Sequence, residues 1–269
     1  MIDDIVGQLY TEQPQKTLFH YASLSGLMGI VEHQKFWVTD IRYLNDAEEL
    51  RHLGEWLNHE ISKRLQESNG SNKVLSQFRE WLRTRLNYGP MLFVGCFTEN
   101  GNLLSQWRGY CPHGKGVSIG FSQNDIIEIV NRNAFMIGKC VYDKETKFAL
   151  AEKIIDAVIA KSETDGESNN HHPSQSYHGT FFDVEPYLLK IAALVKHNSF
   201  HEGNCSRPAL SRSSDAREGA ALEGQADGVD GGDGSSSRGF DDRSNVGIEL
   251  RAPLASKAVG YLSIDRAGA

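Results

Sequence analysis

The chain has 269 residues, 39% of them hydrophobic and 23% charged, with 28 Lys plus Arg against 35 Asp plus Glu and a net charge of -7. That length allows one large domain or two small ones, and the acidic balance argues against a protein that wraps nucleic acid by bulk electrostatics, leaving only a local basic groove open. No run of about 18 apolar residues occurs, and MIDDIVGQLY opens with acids where a leader would carry bases, so neither a membrane span nor a signal peptide is read and a cytoplasmic address is expected.

Residues 1–14 read as an N-terminal extension, and the folded unit is expected over residues 15–202. LFHYA, Leu18 to Ala22, is a short aromatic strand, followed by a helix with Leu24, Leu27, Met28 and Val31 at helical spacing and Ser23 as N-cap. KFWVTD, Lys35 to Asp40, is a second strand. From Asn45 to Gln66 the steps Leu50, Leu53, Leu57, Ile61 and Leu65 predict a long amphipathic helix, opened by Asn45 or Asp46 with Glu48 or Glu49 closing a capping box. A helix over Val74 to Leu86 carries Leu75, Phe78, Trp81 and Leu82 on one face, and MLFVGCFTE, Met91 to Glu99, reads as a central buried strand. GVSIGF, Gly116 to Phe121, and FMIGKCVYD, Phe135 to Asp143, complete the strands, separated by a short helix capped by Ser122 or Asn124. Long helices are expected over Glu145 to Lys161 and Asp183 to His197. Strands and helices mix without strict alternation, so the fold class is α+β, with a mixed or antiparallel central sheet and several amphipathic helices.

The character of the chain changes near Glu202. Beyond it the only aromatics are Phe240 and Tyr261 and the only lysine is Lys257, while Gly224 to Arg238 is a Gly/Ser/Asp run too poor in apolar residues to offset its ordering entropy. Residues 203–269 are therefore expected to be a disordered tail that does not complete the fold. Their composition is that of a GC-rich gene read in a shifted frame, which favours a frameshift or fusion near codon 203 over an evolved linker.

Common catalytic motifs are absent: no G-x-x-x-x-G-K-[ST], no G-x-G-x-x-G after a strand, no H-E-x-x-H and no G-x-S-x-G. Cys96, Cys111, Cys140 and Cys205 lie far apart without C-x-x-C and read as reduced thiols, and the adjacent His171 and His172 sit in a Ser/Asn-rich loop that reads as solvated, so no metal site is assigned. His20 stands on an aromatic strand at a strand-to-helix junction, where it is either a hydrogen-bonded core histidine or a side chain aimed into a cleft. Tyr43, Asn45, Asp46 and Glu49 have two readings as well, since helix capping already accounts for the polar three. SQWRGY, Ser105 to Tyr110, sets Trp107, Arg108 and Tyr110 after a buried strand, where aromatics beside an arginine either stack on a base or anchor the core.

Three ordered blocks, LFHYASLSGLMGIVEHQKFWVTDIRYLNDAEE, FVGCFTE and LLSQWRGYCPHGKGVSIGF, resemble the bacterial family known as domain of unknown function 2971. The likeness covers about residues 17–201. It matches the family's H-Y start to His20 and Tyr21, its N-D-x-x-E to Asn45, Asp46 and Glu49, its W-x-x-Y to Trp107 and Tyr110, and its G-V-x-I-G-F to Gly116, Gly120 and Phe121. The family's closing block, a Phe with two glutamates, a Trp and an Arg, is only begun in LVKHNSFHE, Leu194 to Glu202, and GNCSRPAL supplies none of the rest.

The order of a first-strand His, a mid-chain aromatic cluster and a late glutamate is also similar to that of ADP-ribosyltransferase-like enzymes. That similarity implies NAD as substrate, with transfer or hydrolysis at its nicotinamide-ribose bond in a toxin or phage-defence setting. His20 and Glu49 would be catalytic, and Tyr21, Asn45, Asp46, Trp107, Arg108 and Tyr110 would bind the nucleotide. His20 would hold the nicotinamide ribose, Tyr110 or Trp107 would stack the nicotinamide, and a late Glu would stabilise an oxocarbenium-like centre. With the closing glutamates missing, little or no turnover is expected. The alternative is a non-catalytic module that senses a nucleotide or a protein.

Overall fold

The computed structural model describes residues 1–41, 49–70, 72–88, 92–111, 115–133, 135–168, 176–197, 205–211 and 245–249. The fold is α+β. The N-terminal extension contains a helix, α1 (Ile2–Tyr10), because Ile2, Ile5 and Val6 recur at helical spacing and bury together, with Asp3 and Asp4 complementing the dipole of its first turn. β1 (Leu18–Ser23) passes directly into α2 (Leu24–His33), where the Gly26 N–H donates to the N-cap Ser23 Oγ at 3.0 Å. That helix ends on Gln34 in the left-handed region at φ 54°. β2 (Lys35–Asp40) follows, and then the long α3 (Glu49–Glu67) and α4 (Lys73–Tyr88).

The expected strand over Met91 to Glu99 appears in two pieces, β3 (Leu92–Val94) and β4 (Phe97–Thr98). α5 (Leu104–Tyr110), β5 (Gly116–Phe121), α6 (Gln123–Arg132) and β6 (Met136–Lys139) come next. α7 (Lys144–Ser168) outruns its expected end at Lys161, and α8 (His178–Leu194) starts five residues before Asp183. Tertiary bonds hold both additions. The Tyr177 N–H donates to Gln77 Oε1 at 2.9 Å, and Thr180 Oγ1 donates to Asp165 Oδ2 at 2.7 Å, tying the start of α8 to α4 and α7.

The expectation that nothing after residue 202 enters the fold needs correction at two places. β7 (Cys205–Ser211) pairs with β3, β4 and β6, and β8 (Asn245–Glu249) pairs with β2. Backbone pairing needs no hydrophobic composition, which is why a segment poor in apolar side chains can still serve as a strand. The Gly224 to Arg238 run and the rest of the tail lie outside the described residues, as do His171 and His172.

The named strands pair antiparallel. One register against β7 runs through both β3 and β4, from Leu92 opposite Ser211 to Thr98 opposite Cys205, so the two are parts of a single strand interrupted at Gly95 and Cys96. On its other edge that strand has two neighbours: β2 pairs with the β3 half, Thr39 opposite Val94, and β1 pairs with the β4 half, Phe19 opposite Thr98. The sheet therefore forks at Gly95–Cys96. One arm is β1 with β5, the other β2 with β8, and α2 joins the arms.

The two faces are packed differently. On one, α1, α3, α4, α7 and α8 form a cluster around Leu57, Ile61, Phe78, Ile154, Phe181 and Ile191, which also takes in Leu92 and Val94. On the other, Phe36, Val38, Phe93, Phe97, Val117 and Ile119 pack with Ile30 of α2 and Ile126, Ile129 and Val130 of α6. The alternation of Leu92 and Val94 against Phe93 and Phe97 is the two-residue period of a strand covered on both sides. Among the described residues no helix is long and apolar enough to cross a membrane.

Candidate functional site

The fork gives His20 its surroundings. Where β1 and β2 part, their facing residues lose ladder partners, and aromatic rings fill the gap. The His20 ring stands edge-on to Phe36 of β2 with centroids 4.5 Å apart and lies 5.8 Å from Phe97, while Phe36 and Phe97 stack at 5.2 Å. Nδ1–H of His20 donates to the carbonyl of Cys96, at the interruption itself, with a separation of 3.0 Å. A carbonyl only accepts, so this bond fixes the tautomer with the proton on Nδ1 and a lone pair on Nε2. Burial of the ring pushes the pKa below its ordinary value of 6.5, and the Cys96 carbonyl opposes that shift without cancelling it. The residue as a whole keeps partial solvent exposure, although its ring is closely surrounded. His20 is thus a neutral imidazole at neutral pH, tethered at one nitrogen.

Tyr21 projects to the opposite face of β1, as the next residue in a strand must. Its hydroxyl donates to the Asn100 carbonyl at 2.9 Å and accepts from the Leu103 N–H at 2.8 Å. Burial raises the tyrosine pKa, with the Leu103 bond and nearby Ser118 acting against it. Trp107 of α5 meets Tyr21 edge-on at 4.9 Å and donates its indole N–H to Asn102 Oδ1 at 2.9 Å. The loop between Thr98 and Leu103 is itself tied down by the Asn100 N–H to Thr98 Oγ1, 3.2 Å, and the Asn102 N–H to Asn100 Oδ1, 2.9 Å. Gly101 is required there, since a Cβ would come within 2.6 Å of the Phe19 ring. At the far end of α5, Cys111 Sγ contacts the Ala22 carbonyl at 3.5 Å, and a Cβ on Gly116 would collide with that sulfur at 2.1 Å.

The residues singled out from the sequence therefore divide. Tyr21 and Trp107 come together, with the thickness of β1 between them and His20. Arg108 is exposed on α5 and Tyr110 is half-buried at its C-terminus. Tyr43, Asn45 and Asp46 lie outside the described residues, and Glu49 opens α3 with its side chain likewise outside them. Sequence reasoning missed the Cys96 carbonyl and the rings of Phe36 and Phe97 that enclose His20. It also missed the 100–103 loop, which Asn-Gly at 100–101 signalled as a turn. Among the described residues no group of His, Cys, Asp and Glu is placed to hold a metal ion.

No curated protein and no solved structure matches the chain. A family model does, that of a protein of unknown function, DUF2971, over residues 106–207. The matched stretch runs from α5 through the edge strand β5, helices α6 to α8 and into β7, taking in Trp107, Tyr110, Gly116, Gly120 and Phe121. Over residues 106–207 the chain is therefore similar to the DUF2971 family.

Proposed function

We propose that this chain binds a nucleotide by its ribose, with NAD the ligand, and that any chemistry it performs is transfer or hydrolysis at the nicotinamide-ribose bond. The observation that carries the reading is the state of His20: neutral, held through Nδ1–H by the Cys96 carbonyl, and leaving Nε2 as an acceptor. A ribose hydroxyl is a donor that such a nitrogen can take without the desolvation cost of a buried charge. In this reading Glu49 supplies the carboxylate that stabilises positive charge at the anomeric carbon, and Asn45 and Asp46 bind polar groups of the nucleotide beside it. Tyr21 and Trp107 lie across β1 from His20, so they contact a nucleotide held there only if it reaches around the strand, and Arg108 and Tyr110 of α5 complete that second, aromatic and cationic wall.

The experiment is NAD binding by calorimetry together with nicotinamide release, for the native chain and for His20→Ala. Binding lost in the variant at unchanged thermal midpoint supports the reading. Absence of both binding and release in the native chain overturns it.

A second reading, a sensing module without turnover, is favoured by a separate observation. The polar atoms of Tyr21 and Trp107 are already committed to the 100–103 loop, so these aromatics have a structural task. NAD binding without nicotinamide release would select that reading.

A further inference from the structure

Cysteines far apart in the chain meet only through strand pairing, and β7 brings two of them face to face. In the β6–β7 ladder Lys139 stands opposite Ser206. One further step of the same antiparallel register sets Cys140, the residue after β6, opposite Cys205, the first residue of β7. On its other side Cys205 stands opposite Thr98 of β4. Burial along β6 agrees with that placement. Met136 packs against the helical cluster and Ile137 belongs to the opposite one, so alternation carries Met136, Gly138 and Cys140 on the helical face, where Cys140 is 9% exposed and clusters with Tyr142.

Facing Cα atoms of an antiparallel pair lie about 4.5–5.5 Å apart, inside the range of roughly 4.4–6.8 Å that a disulfide spans. The other two cysteines are placed differently. Cys96 packs against the Cys140–Tyr142 cluster and is the natural rival. It belongs to the strand on the far side of β7, however, and two strand spacings amount to about 10 Å. From Cys205 it is a diagonal neighbour two residues along, at about 7–8 Å. Cys111 lies at the end of α5 against the Ala22 carbonyl of β1.

We propose that Cys140 and Cys205 are a redox-responsive pair that closes into a cross-strand disulfide by exchange with a small-molecule disulfide of the glutathione type. One protein thiolate attacks the small disulfide, forming a mixed disulfide and releasing one reduced thiol; the second thiolate then attacks the protein sulfur of that mixed disulfide and releases the other. The protein gives up two hydrogens and two electrons, and the small disulfide takes up both as two thiols. The second step is intramolecular between facing residues, which favours closure over a second external exchange. The closed pair clamps β7 to β6. Because β7 also pairs with the two-piece strand that carries the Cys96 carbonyl, the clamp braces the main chain that holds His20.

The test equilibrates the full chain with excess oxidised glutathione, counts thiols in denaturant and reads the unreduced proteolytic digest by mass spectrometry. The native chain, with four cysteines, is expected to lose two thiols and to yield two peptides joined through Cys140 and Cys205. Cys96→Ala should lose two thiols as well, whereas Cys140→Ser and Cys205→Ser should keep all of theirs. Oxidation should raise the thermal midpoint of the native chain and leave that of Cys205→Ser unchanged. Four thiols retained at equilibrium overturn the proposal, as do glutathione adducts in place of the link or a link that uses Cys96 or Cys111. Neither NAD nor nicotinamide release enters the measurement, so this pair and the NAD reading fail separately.

Discussion

The helical layer and the fork solve the burial of polar groups in opposite ways. Between the helices two arginines are met by carboxylates: Arg85 Nε and Nη2 reach Glu185 Oε1 and Oε2 at 2.5 and 2.7 Å, and Arg64 bridges Glu60 of its own helix to Asp156 of α7 at 2.6 and 2.5 Å. At the fork, His20 is held by a main-chain carbonyl and by aromatic rings, and across β1 the Tyr21 hydroxyl is held by main-chain groups of the 100–103 loop. The difference teaches which region is built for rigidity. A fork-shaped ion pair between helices fixes their relative position through side chains alone. A neutral imidazole with one nitrogen tethered keeps a lone pair on the other.

The largest expected effect lies in the helical layer. Phe78 is fully buried between Trp81 and Phe181, with ring centroids 5.8 and 5.1 Å away, so Phe78→Ala should cost about 4 kcal/mol in urea denaturation. If the two faces are independent, the His20 titration by NMR stays where it was in that variant; a displaced titration would break the comparison. Glu185→Gln comes next. It leaves Arg85, which also lies 5.0 Å above the Phe182 ring, with a neutral partner in a part-buried pair, at a cost of about 2 kcal/mol by the same measurement.

Tyr21→Phe removes both bonds of the hydroxyl and should cost about 1–2 kcal/mol. Its sharper readout is amide exchange, because the Leu103 N–H loses its acceptor and should exchange faster, while amides of α4 and α8 stay protected. Unchanged exchange at Leu103 would mean that the loop does not depend on β1.

The smallest effect is on pH dependence. The folded pKa of His20 lies below the ordinary 6.5, so between the two values the unfolded chain binds the extra proton. Its contribution is therefore fully present above pH 6.5 and is lost as pH falls from there through the folded pKa. His20→Gln should flatten that limb of the stability curve and leave the region above neutrality unchanged. An identical acid limb in the variant would show that the ring is not desolvated.

The helical layer was legible in the sequence. Leu53, Leu57, Ile61 and Leu65, and Leu75, Phe78, Trp81 and Leu82, announce their burial by spacing, because a helix repeats its contacts locally. The same rule would have found α1 in Ile2, Ile5 and Val6. The strands up to β6 were legible as strands, including the continuity of Leu92 to Thr98 across Gly95 and Cys96, whereas β7 and β8 were not. His20 was identifiable as a residue in two minds between core and cleft, and the structure gives it features of both, a tethered Nδ1 with close ring neighbours and partial exposure.

What the sequence could not decide was pairing. Which strands share an edge depends on contacts between residues far apart in the chain, such as Phe19 with Thr98 and Thr39 with Val94, and no local spacing encodes them. The fork at Gly95–Cys96 follows only once both pairings are made on one edge, and with it come the gap that Phe36 and Phe97 fill and the carbonyl that sets the tautomer of His20. The places of β7 and β8 came from the same source, since backbone hydrogen bonding recruits strands with little regard for composition. The sequence by itself determined the α+β class, the amphipathic helices and the residue types available for chemistry. Only the tertiary structure decided which of those residues meet, because strand order is a property of non-local hydrogen bonds and helix burial is a property of local period.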